Sequence, residues 1–248
     1  MAGALAEVLS SQLDLALLRA FELRRGGERV RLPFSTQRLV ALLALRNRPL
    51  HRVHVAGTLW LDASEERAGS NLRTAVWRLR RLDRDLVETT PTHIGLGSRV
   101  KVDVHETLEL AQRLLDPEAE CGSADLVTDL SADLLPDWYD DWVLLEQERF
   151  RQLRLHALEA LCERLTAARR FGAAVDAGVA AVAAEPLRES AQRVLVSAYI
   201  AEGNACEAIR QYCKYRSTLR KELNLEPSQM IRDLLDPIPA TALAHAGV

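Results

Sequence analysis

Apolar positions in the first hundred residues change period several times. In "LALLRAFELRRGGERVRLP", Leu15–Pro33, they fall at strand spacing, and Gly26-Gly27 is placed to turn a hairpin between "FELRR" and "ERVRL". From Ser35 the period lengthens. Leu39, Leu42 and Leu43 in "TQRLVALLAL" recur at helical spacing, with Ser35 as the expected cap and Pro49 as the break. A second, shorter helix is predicted over Val53–Trp60. "LDAS" makes a loop, and Ser64 followed by Glu65 and Glu66 opens a third helix running to about Leu82. "LVETT" and "RVKVDV" then read as two short strands around the Pro/Gly turn "PTHIGLGS". Strands, three helices and a hairpin are the outline of a winged helix-turn-helix. In that fold the third helix enters a major groove and the hairpin reaches the adjacent backbone.

Beyond Asp103 the spacing is helical throughout. Helices are predicted over "ETLELAQRLL", 142–169, 172–184, 188–202 and 204–223, with a short one after Pro227 and "LLPDWYDDW" as an aromatic link. Leu161 and Leu195, Leu165 and Tyr199, Ala174 and Ala208, and Val175 and Ile209 match at a constant offset of 34, the tetratricopeptide period. "RRFGAA" and "EGNACEA" are the corresponding turns, with Arg169 where a glycine is usual. A protein-binding helical array and a plain helical bundle both fit this pattern. The expected fold is mostly α with small β: a winged helix-turn-helix over residues 1–103 and an all-α, tetratricopeptide-like domain over 104–248.

Charge sharpens this division. The 248 residues carry a net −3, yet residues 1–101 hold 17 Lys and Arg against 10 Asp and Glu, while the rest hold 15 against 25. A basic half suits a polyanion, which it binds with release of counterions. Cys121, Cys162, Cys206 and Cys213 form no CxxC pair and read as reduced, mostly buried thiols of a cytoplasmic protein. The amino-terminal residues lack a basic region, and Glu7 and Asp14 interrupt their apolar positions, which does not suit a signal peptide. No apolar run approaches the ~20 residues of a membrane helix.

The third helix holds the candidate chemistry. On a wheel of about 100° per residue with Leu72 at zero, Val76, Leu79, Ala75 and Leu82 form one apolar arc. Asn71, Arg73, Thr74, Trp77, Arg78, Arg80 and Arg81 occupy the remainder. Trp77 therefore stands outside the core stripe, among arginines. Three coverings for its ring are open: DNA, the acidic second domain, or a rotated helix that puts it at the core margin.

These residues resemble the Streptomyces antibiotic regulatory protein family, in which an OmpR/PhoB-type winged helix precedes a bacterial transcriptional activator domain. In the first half the resemblance rests on "QRLVALLAL", "LWLDAS" and "NLRTAVWRLRRL". In the second it rests on "VDVHETLELAQRLL", "LLPDWYDDWVLLEQERFRQLRLHALEAL" and the segment ending "YRSTLRKELNLEPS". It implies an activator that binds tandem direct repeats in double-stranded DNA, with a homodimer on DNA as one arrangement. It also implies recruitment of RNA polymerase holoenzyme, including its sigma factor, at a promoter of a specialised-metabolite gene cluster. Arg78 and Arg80 match recognition-helix arginines, and Asn71, Arg73 and Thr74 match positions near bases or phosphates. In the wing, "THIGLG" departs from the family's Gly-Tyr-x-Leu, and Arg99 and Lys101 remain as the expected phosphate contacts. Trp77 replaces a smaller or polar residue, and Trp60 matches a largely buried position. "WYDDW" reads either as a clasp between domains or as anchors of the helical domain. Without a GxxxxGK[ST] phosphate loop, the chain looks like the family's small form, placed in the cytoplasm at the nucleoid.

Two other classes fit less well. An interaction adaptor, with a winged helix that does not read DNA, leaves the arginine-rich face unexplained. For an enzyme, Asp103, His105 and Glu106, or Asp140 and Asp141, supply acid–base groups, but these suit helix starts and solvated links. His51 and His54 could share a helix face, yet no third ligand accompanies them. Neither a cofactor nor a metal is expected.

Overall fold

The structure, a computed structural model, describes residues 12–116, 126–236 and 238. The chain divides into two compact units: Met1–Glu106 with Asp133–Phe150, and Thr107–Ala132 with Arg151–Val248. The sequence suggests one cut near residue 103; the contacts instead return Asp133–Phe150 to the first unit.

In the first unit, β1 (Leu13–Ala16), β2 (Glu22–Arg25) and β3 (Glu28–Val30) form an antiparallel meander. The β2–β3 turn places Gly26 and Gly27 at φ 55° and 86°, the positive values such a two-residue turn demands. Three helices follow: α1 (Phe34–Arg46), α2 (Arg52–Leu59) and α3 (Glu65–Leu82). α1 starts one residue before Ser35, which therefore does not cap it, and Asn47 in left-handed backbone ends it. β4 (Leu50–His51) lies between α1 and α2, where the sequence suggested only a break. The core side chains of this unit include Leu15, Leu23, Leu39, Leu43, Val55, Leu59, Leu72, Leu79, Leu86 and Ile94.

The stretch expected to hold a pair of wing strands holds three strands: β5 (Val87–Thr89), β6 (His93–Leu96) and β7 (Val100–Val102). β5 and β6 form the hairpin, closed at Thr90–Thr92, and β6 also pairs with β4. β7 leaves it and lies parallel to β1 in the other sheet, of order β3-β2-β1-β7. "HIGL" falls within the Pro/Gly turn that the sequence suggests. It is a strand because Ile94 is buried beside Leu50, and Gly95 passes close to Pro49, whose Cα would lie 3.6 Å from an added Cβ.

The segment Asp133–Phe150 is fastened to this unit by aromatic and ionic contacts. Trp138 stacks on Phe21 with centroids 5.9 Å apart and meets Phe34 edge-on at 5.1 Å. Asp140 pairs with Arg38, and Glu146 pairs with Arg46 at 2.9 Å. "WYDDW" thus anchors the first unit, the one outcome the sequence did not offer. The charge reading changes with it. The first unit holds 18 Lys and Arg against 18 Asp and Glu, so the basic character of the first half is a local face rather than a net charge.

The second unit is helical. Its elements are the later parts of α4 (Asp103–Leu115) and α6 (Asp141–Ala167), then α5 (Leu126–Leu130), α7 (Phe171–Ala184), α8 (Glu189–Glu202), α9 (Ala205–Leu223) and α10 (Gln229–Asp233). One core gathers Leu158, Leu161, Leu165, Ala174, Ala177, Ala181 and Val194; another gathers Val196, Ile209, Tyr212, Tyr215, Leu219 and Ile231. α7 comes close because its inner face is small: a Cβ on Gly178 would sit 3.0 Å from Leu195 Cδ1 and 3.2 Å from Cys162 Sγ. Two helix ends 34 residues apart carry matching hydrogen bonds. Arg169 N and Gly203 N donate to Thr166 O and Ile200 O, each at 3.0 Å, and Arg170 N and Asn204 N donate to Leu165 O and Tyr199 O. Arg169 takes φ 58° where Gly203 takes 89°, so the arginine accepts left-handed backbone at the glycine position.

The cysteines depart from the mostly buried expectation. Cys162 is buried, Cys213 is half-buried and Cys206 is exposed, because the first turn of α9 turns that side outward. Cys121 lies outside the described residues, as do the first eleven residues. Burial pushes the Cys162 thiol up to about 12, so it stays protonated as an apolar filler.

Candidate nucleic-acid interface

α3 opens with Ser64, whose Oγ accepts from Arg67 N at 3.4 Å, and with Glu65 and Glu66 in its positive first turn. Ala68, Leu72, Ala75, Val76 and Leu79 are buried, the arc that the helical wheel specifies. On the opposite side Arg73, Thr74, Trp77, Arg78, Arg80 and Arg81 are exposed, and Asn71 is half-buried. Trp77 is 59% exposed, which removes the core-margin alternative.

Beside this ring runs a shallow groove of about 550 Å³, lined by Arg52, Arg73, Arg80, Arg81 and Arg84 with Trp77 and Val76. It brings together four of the residues expected from sequence: Arg73, Trp77, Arg80 and Arg81. It adds two that were missed. Arg84 follows Arg73, Trp77 and Arg80 at helical spacing, but it lies just past the end of α3, where a helix reading stops. Arg52 carries no signal in the sequence. It is placed by a fold contact, its backbone N donating to Thr92 O of the wing turn at 2.9 Å. A larger groove of about 930 Å³ between α2, α3 and the wing turn shares Arg52 and Arg73 but is otherwise walled by groups such as Val53, Trp60, Leu61 and Pro91. Charge converges in the smaller groove, where five of the seven lining residues are arginines.

The remaining expected residues are not in it. Arg78 is exposed on the other flank of α3 with Asn71, and Thr74 Oγ1 donates back to Ser70 O at 3.1 Å. Arg99 sits in the turn after β6 and pairs with Asp85 at 3.1 Å. Lys101 is on β7, opposite Asp14 in the four-stranded sheet, because β7 is not part of the wing.

Ion pairing explains why the groove remains so basic. "RRLDRD" places Asp83 and Asp85 among the arginines, where they could neutralise them. Both are diverted: Asp83 pairs with Arg25 at 3.3 Å and Asp85 with Arg99. Arg24, Arg38 and Arg46 also have carboxylate partners, whereas among the described residues Arg52, Arg73, Arg80, Arg81 and Arg84 have none. Arg80 Nη1 reaches only Thr89 Oγ1, at 3.5 Å. Five cations gathered without counter-charges repel one another in water, and a row of phosphates removes that repulsion.

Other candidate chemistry is taken up by structure. The Asp103 carboxylate accepts from Leu17 N, Leu18 N and Val104 N at 2.7–3.1 Å, and burial nonetheless pushes its carboxyl above the usual value. His105 Nε2 donates to Ala44 O at 2.7 Å. His51 lies in β4 and meets His93 edge-on at 5.3 Å instead of sharing a helix face with His54. Among the described residues no group of three or more His, Cys, Asp or Glu is placed to hold a metal, and no helix is long and apolar enough to cross a membrane.

The chain is similar in fold to the solved structure of Mycobacterium tuberculosis EmbR in complex with a low-affinity phosphopeptide, at 21% identity and a TM-score of 0.71, over 95% of this chain and 69% of that one. No curated protein matches it. The profile described as Bacterial transcriptional activator domain matches residues 102–238. Since that match takes in more than half of its residues, the chain belongs to the bacterial transcriptional activator domain family.

Proposed function

We propose that the protein is a sequence-specific activator of transcription that reads double-stranded DNA with α3 in the major groove. The observation that supports this most is the row of five arginines, none with a carboxylate partner among the described residues, around an exposed tryptophan on the third helix of a winged helix. Arg73, Arg80, Arg81, Arg84 and Arg52 take one strand's phosphates and the base edges beside it. Asn71, Thr74 and Arg78 face the other strand, a division natural to a helix lying in a groove. Arg99 and Lys101 are at most outlying phosphate contacts. The helical unit engages RNA polymerase holoenzyme, sigma factor included, at tandem direct repeats upstream of a promoter. The resemblance to antibiotic regulators makes a specialised-metabolite cluster in a bacterial cytoplasm the natural setting.

The test is binding of the full chain to promoter DNA from its own genomic neighbourhood. Footprinting should show two or more protected repeats on one face of the helix, and holoenzyme should initiate there only with the protein present. Affinity should fall by orders of magnitude between 50 and 200 mM salt for about six or more phosphate contacts. A flat salt dependence with no footprint would favour the adaptor reading.

A further inference from the structure

The middle of the exposed face of α3 is an aromatic ring with an arginine over it. The guanidinium carbon of Arg81 lies 5.4 Å from the centroid of Trp77. Residues four apart are neighbours on a helix surface, so the pairing arises without distortion. Among the described residues Arg81 has no carboxylate partner, and its nearest acidic neighbours in sequence, Asp83 and Asp85, pair with Arg25 and Arg99. An arginine near a helix end otherwise samples many rotamers, and binding must freeze them. The ring removes part of that freedom beforehand. A cation–π contact uses the face of the guanidinium and leaves its in-plane N–H fork free, the edge that meets O6 and N7 of guanine.

We propose that Trp77 is a positioning residue: its ring pre-orients Arg81, and Arg81 reads one guanine in the operator. This rests on α3 being the DNA-reading helix. It goes further by assigning the aromatic ring a role through its neighbour rather than through DNA.

The full-length chain is used, with a pool of random duplex DNA enriched by binding as the probe. Wild type, Arg81→Ala, Trp77→Leu, Trp77→Phe and the Trp77→Leu/Arg81→Ala double variant are each scored for base preference at every position. Arg81→Ala should lose about tenfold in guanine preference at one base pair. Trp77→Leu should lose the same preference at the same base pair although Arg81 is present, and the double variant should be no worse than either alone. Trp77→Phe should restore most of it. Melting of Trp77→Leu should match wild type, because the ring is exposed. Two independent, multiplying losses, a loss at a thymine instead, or a large drop in melting temperature would each overturn the proposal. If wild type enriches no sequence, the reading of α3 itself fails and the positioning role goes with it, an outcome distinct from the others.

Discussion

Arg25, in β2, pairs with Asp83 at 3.3 Å and also donates from Nη1 to Leu82 O at 3.1 Å. One side chain thus caps the carbonyl end of α3 and removes a carboxylate from its arginines. Arg25 is 47% exposed, so solvent screens the pair. Arg25→Ala should therefore cost only about 0.5–1 kcal/mol of stability. DNA affinity should also fall, by roughly two- to fivefold, as the freed Asp83 competes with phosphate for Arg80 and Arg84. Fluorescence anisotropy on Arg25→Ala and on Arg25→Ala/Asp83→Ala checks it. The double variant should regain the affinity but not the stability.

A fragment ending at residue 103 loses Trp138 from its place against Phe21 and Phe34, along with the partners of Arg38 and Arg46. It should show no cooperative melting transition. In the full chain, Trp138→Ala should cost about 3–5 kcal/mol, read as a shift in the denaturant midpoint. A fragment 1–103 that melts cooperatively would show that Asp133–Phe150 is dispensable.

Gly97 passes against the chain leaving α3 so closely that an added Cβ would lie 1.7 Å from Asp85 O. Since the obstacle is backbone, no side-chain rotation relieves it. Gly97→Ala should destabilise the first unit by about 3 kcal/mol and displace Asp85 from Arg99. Gly57→Ala, where an added Cβ meets nothing within 4 Å, is the control and should be nearly neutral. Thermal melting of the two variants separates the outcomes.

Burial by itself would raise the Glu189 carboxyl, but hydrogen bonds from Ser228 Oγ, Ser228 N and Tyr215 Oη hold it below its usual 4.5. A depressed folded-state value means stability that is present above about 4.5 and lost as pH falls through the folded value. The helical unit should lose stability below about pH 4.5, and Glu189→Gln should remove that component while lowering stability at neutral pH. Urea midpoints from pH 7 to pH 3 measure it. A Glu189→Gln profile parallel to wild type would show that other carboxylates govern the acid limb.

The periodic features were legible in the sequence because they are local. A helix turns every 3.6 residues wherever it lies, so the buried arc of Leu72, Ala75, Val76 and Leu79 follows from spacing, while the structure was needed to put Trp77 off the core margin. Gly26-Gly27 announced its turn for the same reason, since positive φ is a property of the residue. Pairing across the chain is a different matter. That β7 abandons the wing for β1, that Arg52 joins Arg73 and Arg84 in one groove, and that Trp138 belongs with Phe21 all depend on where distant segments come to rest. So does the diversion of Asp83 and Asp85 to Arg25 and Arg99, residues 58 positions before and 14 after them in the chain. An ion pair needs its charges within about 4 Å, and many partners were equally available to those carboxylates along the sequence. The composition of the arginine face was set by the sequence, while its lack of counter-charge was decided by the tertiary structure.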